Sequence, residues 1–153
     1  LWLARANHVR TVLDPAPARE LTDGTLALVD VLTPNESEAE ALTGIAIGSV
    51  ESAAQAGARL QARTGGDVVV KLGAQGCVWV HATGFEHISA PRVRALDTTG
   101  AGDAFNGGLA LALARGEPTL ERGRVEVEDE RTELLLRERE RAVRADDGCD
   151  RMV

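Results

Sequence analysis

The chain has 153 residues, 44% of them hydrophobic, and a formal net charge of −7 at pH 7. That is enough length and apolar content for one globular core, and the net acidity argues against a broad nucleic-acid footprint. No run approaches the roughly 18 apolar residues that a membrane span needs. Two cysteines, Cys77 and Cys149, lie far apart and outside any CxxC or CxxH spacing, which points away from a disulfide framework or zinc site and toward a reducing cytoplasm. The opening LWLARANHVR is too short and too polar for a secretory signal, and no methionine starts it, so the chain is expected to begin inside a longer protein.

In chain order, VRTVLDP (9–15) reads as a short buried strand ended by proline, and LALVDVLTP (26–34) as a second. A helix follows: Thr33 is the expected cap, Pro34 suits the first position, and Glu36 completes a Thr-x-x-Glu capping box, with Gly44 as the stop. A second helix is expected after Ser49, with Val50, Ala53, Ala54, Gly57, Ala58 and Leu60 on one face. DVVVKLG (67–73) is a β-branched core strand, and GCVWVHATGFEHISAP a hairpin turning at Ala82, Thr83 and Gly84. The order βαβαβ predicts an α/β fold with a Rossmann-like, mostly parallel sheet flanked by helices, and ligands beyond the carboxyl ends of the strands.

The segment RALDTTGAGDAFNGGLALALARG (94–116) carries the most chemistry. Gly100, Ala101 and Gly102 let a polyanion approach the main chain, and a helix starting near Asp103 directs unpaired N–H groups at it. A carboxylate there has no electrostatic use toward phosphate unless it accepts the proton of an attacking hydroxyl. The same residues also fit a plain aspartate helix cap ahead of a core helix, and chemistry alone does not separate the two. Asn35 and Glu38, three apart, share a helix face where one carboxylate and water would suit magnesium; acids at a helix start are equally ordinary. Lys71, Leu72, Gly73, Ala74, Gln75 and Gly76 place two glycines after a buried strand, where backbone can pack against a nucleotide, or simply turn into the hairpin.

Asn-x-x-Glu, Lys-Leu-Gly-x-x-Gly and Asp-Thr-Thr-Gly-Ala-Gly-Asp, in this order, resemble the carbohydrate kinases of the ribokinase (PfkB) family, over about Arg10 to Pro118. The resemblance implies ATP-dependent phosphorylation of a sugar's primary hydroxyl, with D-ribose the expected sugar and fructokinase a neighbouring activity. By it, Asp103 is the base facing the sugar, and Gly100, Ala101, Gly102 and Asp103 form the anion hole. Asn35 and the loop from Lys71 to Gly76 (Lys71, Leu72, Gly73, Ala74, Gln75, Gly76), with Gly102 and Asp103, contact ATP. Glu38 helps order Mg2+, and Asp97 and Thr99 contribute to a K+ site. The implied partners are a small sugar and ATP, with no nucleic acid or membrane, and a homodimer for an intact member.

The family's N-terminal strands, its small β-sheet lid and most of its sugar pocket have no counterpart in the sequence. Residues 1–118 therefore read as the later part of a kinase domain. The 35 residues from Thr119 to Val153 carry 19 charged side chains, against 22 in all of 1–118, and are expected to form a divergent charged tail. A reading-frame change near Pro118, a solvated helix, and a partner-binding helix using Leu134, Leu135, Leu136 and Val143 are three readings of it. The competing functional class is a non-catalytic remnant that binds nucleotide or a partner. A dinucleotide-binding oxidoreductase is disfavoured, because no Gly-x-Gly-x-x-Gly follows an early strand.

Overall fold

Asp67–Lys71 forms the central strand because three consecutive valines favour the pleated backbone and are wanted on both of its faces. The computed structural model describes residues 1–92 and 100–116. The expected tail from Thr119 onward, with Leu134, Leu135, Leu136 and Val143, lies outside the described residues.

The described elements are α1 (Trp2–Ala6), β1 (Val12–Leu13), α2 (Asp23–Leu26), β2 (Val31–Leu32), α3 (Glu36–Thr43), α4 (Val50–Thr64), β3 (Asp67–Lys71), β4 (Cys77–His81), β5 (Gly84–Ile88) and α5 (Ala101–Ala114). The strands form one sheet in the order β1-β2-β3-β4-β5. The first three are parallel, with Val12 opposite Val31 and Leu32 opposite Val68. The β4–β5 hairpin adds to β3 antiparallel, with Val69 opposite Trp79 and Val80 opposite Phe85. The sheet is therefore of the expected α/β kind, with a parallel core and an antiparallel edge.

Two sequence expectations are corrected. Residues 26–34 are not one strand: Leu26 closes α2, which Thr22 caps through its Oγ1, and only Val31–Leu32 pair. Leu26 and Val29, three apart, both enter the core from this turn, and Asp30 then fastens to β1's entry by accepting from the Thr11 backbone N–H at 2.8 Å. The helix order between strands is consequently one before β2 and two before β3, rather than a simple alternation. On α4, Ala58 faces solvent, and Ala53, Ala56, Gly57, Leu60 and Thr64 line the buried stripe at spacings of three and four.

Side chains alternate across β3, so Val68 and Val70 join Leu32, Val78, Val80 and the stripe of α4 on one face. Val69 points the other way, into a second cluster with Val31, Cys77 and Leu109 of α5. The sheet thus lies between α3 and α4 on one side and α5 on the other. Gly57 lets α4 approach closely, since a β-carbon there would stand 2.6 Å from Val80 Cγ2.

Candidate active site

Helix α5 begins without a side-chain cap. Gly100 occupies the cap position at φ 77° and ψ 5°, in the left-handed region where glycine is strain-free. Ala101, Gly102 and Asp103 follow as the first turn, so their N–H groups have no acceptor within the helix and carry its positive end. Asp103 is the third helical residue and its side chain is exposed. Its reading as the helix cap is therefore corrected: the cap is Gly100, three residues earlier. The turn therefore presents the N–H groups of a helix start with an exposed carboxylate at its third residue.

Facing that turn are the carboxyl ends of the parallel strands. Lys71, the last residue of β3, turns its ammonium back to Asp14, just beyond β1, with Nζ donating to Oδ2 at 2.7 Å. Asn106, one turn beyond Asp103 on α5, donates its Nδ2 to the same oxygen. The side chains of Lys71 and Asp14 are only 14% and 24% exposed, so this pair is poorly screened. A β-carbon on Gly102 would lie 3.5 Å from Lys71 Nζ, which places the ammonium beside the first turn of α5.

Asn35 and Glu38 occupy the neighbouring position. The expected cap at Thr33 is corrected: Thr33 is fully buried, and Asn35 caps α3. Its Oδ1 accepts from Glu38 N at 2.9 Å and from Ser37 Oγ at 2.8 Å, while Glu38 Oε2 accepts from Asn35 N at 2.7 Å. The capping box is therefore Asn35 with Glu38, not Thr33 with Glu36, because Thr33 and Pro34 are still held against the strands. Lys71 N donates to Pro34 O at 2.8 Å, and Asn35 bridges Lys71 in parallel register. Asn35 and Lys71 are thus side by side at the sheet's carboxyl end.

The rest of the loop divides. Leu72 is buried in the core, so only its backbone is free to meet a ligand. Gly73, Ala74 and Gln75 form one exposed turn of 3-10 helix. Gly76, at φ 92°, lies so close to β5 that a β-carbon would collide with the carbonyl oxygen of Ile88. Asp97 and Thr99 lie outside the described residues. Among the described residues, no three His, Cys, Asp or Glu side chains gather to hold a metal ion. Glu38 is buried and its Oε2 already accepts from Asn35 N–H, so it offers a magnesium ion at most one carboxylate oxygen, the rest of such a site being water and phosphate oxygens. Sequence reasoning missed Asp14 and Asn106. The available signals were an acid at a strand's carboxyl end in LDP, and one amide inside the apolar run AFNGGLALALA.

The model for the pfkB family carbohydrate kinases matches residues 1–125. The ribokinase of Haemophilus influenzae is 45% identical over 112 residues, covering 72% of this chain and 36% of that protein. The ribokinase of Mus musculus is 43% identical over 117 residues, again covering 36% of the relative. Among solved structures, Arabidopsis thaliana ribokinase complexed with ribose and ATP superposes with a TM-score of 0.69 at 31% identity, over 76% of this chain and 38% of that one. The chain spans little more than a third of the relatives it matches. With an uncapped glycine turn carrying Asp103, set against the carboxyl ends of a parallel sheet, and with that family match over residues 1–125, the chain belongs to the pfkB family of carbohydrate kinases.

Proposed function

We propose that the complete protein containing this chain transfers the γ-phosphoryl group of ATP to the primary hydroxyl of a sugar, with D-ribose as substrate and ribose 5-phosphate as product. The observation that carries the reading is the first turn of α5: an uncapped helix start with an exposed carboxylate at its third residue. The ribokinase relatives, and the Arabidopsis structure described with ribose and ATP, support the choice of sugar and nucleotide.

In this mechanism Asp103 accepts the proton of the hydroxyl as its oxygen attacks the γ-phosphorus, and ADP departs from the opposite side. The N–H groups of Ala101, Gly102 and Asp103 neutralise charge on the transferring group, with the Lys71 ammonium beside them. Asn35 and the turn from Leu72 to Gly76 flank the nucleotide. Bound Mg2+ would offset charge between the phosphates, with Glu38 as its protein-side carboxylate, and Asp97 and Thr99 are assigned to a K+ site. Residues 1–118 are the C-terminal part of the kinase domain and 119–153 a divergent charged tail. By its likeness to the family the intact protein is taken as a cytoplasmic homodimer. Separately, no helix among the described residues is long and apolar enough to cross a membrane.

The second reading concerns this chain by itself, as a non-catalytic remnant that binds nucleotide or a partner. The test compares the purified chain with the same chain joined to a family N-terminal half and ordinary C-terminus, each given ribose, ATP, Mg2+ and K+. Sugar phosphate from the joined protein alone is the expected result. A joined, folded protein that phosphorylates no sugar would remove the kinase reading, and robust turnover by the short chain would show that its missing walls are dispensable.

A further inference from the structure

Asp14 has no role in the mechanism above, yet it sits at the centre of the site. One oxygen, Oδ2, accepts from both Lys71 and Asn106, so a single atom joins the ends of β1, β3 and the second turn of α5. Asp14 Oδ1 and Asn106 Oδ1 are buried without partners among the described residues. The Lys71–Asp14–Asn106 cluster therefore ties three elements together through one carboxylate oxygen.

Charge alone gives no reason for it. A carboxylate 2.7 Å from the Lys71 ammonium offsets the field that would attract an anion to α5. Geometry does give one. A lysine has four rotatable side-chain bonds and loses affinity for a fixed phosphate unless something holds it. We propose that Asp14 is a positioning residue: its Oδ2 holds the Lys71 ammonium beside Gly102, where it meets the polyphosphate of ATP, while Asn106 ties α5 to the same oxygen. The inference rests on reading the first turn of α5 as a phosphate site.

The two explanations of Asp14 predict opposite signs. As a counter-ion, its removal frees a positive charge and tightens anion binding; as a positioner, its removal loosens it. The experiment titrates the 153-residue chain with ATP and, separately, with inorganic tripolyphosphate, following phosphorus resonances, and records thermal unfolding of each variant. Asp14→Ala is expected to weaken both probes about tenfold, the scale of one lost charge-assisted hydrogen bond. Asp14→Asn keeps an acceptor oxygen while dropping the charge, and is expected to bind within about threefold of the unsubstituted chain, by the same affinity scale. Lys71→Met should lose at least as much as Asp14→Ala.

Equal or tighter binding by a folded Asp14→Ala overturns the positioning role and leaves the kinase reading standing. Should that variant fail to fold, the other two decide: Asp14→Asn falling as far as Lys71→Met, or Lys71→Met losing nothing, overturns it. An unsubstituted chain that binds neither probe removes the phosphate site and this inference together.

Discussion

Helices α3 and α5 both start at the carboxyl end of the sheet, and their first turns are built in opposite ways. At α3 the chain closes its own orphan N–H groups: Asn35 accepts from Glu38 N while Glu38 accepts from Asn35 N. At α5 the cap is Gly100, no side chain among the described residues closes the turn, and Asp103 at the same third position is exposed. Both helices have an acid three residues after the cap, Glu38 and Asp103. One is used to finish a helix and the other is left free. With glycine at the cap in place of Asn or Ser, α5 forgoes only roughly a few tenths of a kcal/mol of capping.

The largest expected effect tests the free acid. In a complete kinase carrying this segment, Asp103→Asn is expected to lower kcat by about two to four orders of magnitude with little change in KM for ATP. Steady-state rates measure it, and a variant keeping most of its kcat would make the two acids equivalent after all.

Next is the packing that holds α5 while its end stays open. Cys77 lies under Leu109, and burial pushes its thiol up to about 11. At pH 8 its alkylation by iodoacetamide, followed on the Cys77 peptide by mass spectrometry, should run about a hundredfold slower than that of an ordinary thiol. Because the folded chain holds this proton more tightly than the unfolded one, the pair's contribution to stability falls as pH rises from the unfolded value toward 11. Rapid alkylation in the folded chain would mean that α5 does not stay on the sheet.

Asn35→Ala removes the acceptor from the closed turn and is expected to cost about 1 kcal/mol, read by urea unfolding. Gly100→Ala costs about 1–2 kcal/mol by backbone strain alone, since no described atom lies within 4 Å of the new β-carbon. The smallest effect separates cap from metal. Glutamine also completes a capping box, so Glu38→Gln should change stability by less than about 0.5 kcal/mol. In the complete kinase the same change is expected to raise the magnesium requirement. Equal magnesium titrations for Glu38→Gln and Glu36→Gln would leave Glu38 a cap only.

Much of this contrast was legible beforehand, and its failures are instructive. Gly44 as the stop of α3, Ser49 as the start of α4 and the hairpin turn before Gly84 follow from local chemistry, because αL glycines, capping serines and short turns are decided within a few residues. The cap at Thr33 was misplaced because Thr-Pro-x-Glu satisfies the same local rule as Asn-x-x-Glu. What separates them is that the backbone of Pro34 is claimed by Lys71, 37 residues away.

The sequence by itself determined the α/β class, the glycine turn that opens α5 and the acid within it, since glycine, helix start and carboxylate are neighbours along the chain. Only the tertiary structure decided that Asp14 and Asn106 belong to the site: they are 92 residues apart, and no local periodicity relates them. It likewise decided which acid would be free. Glu38 is drawn into its own helix cap and buried, whereas Asp103 follows a glycine that offers no side chain to cap the turn, so its carboxylate remains in solvent.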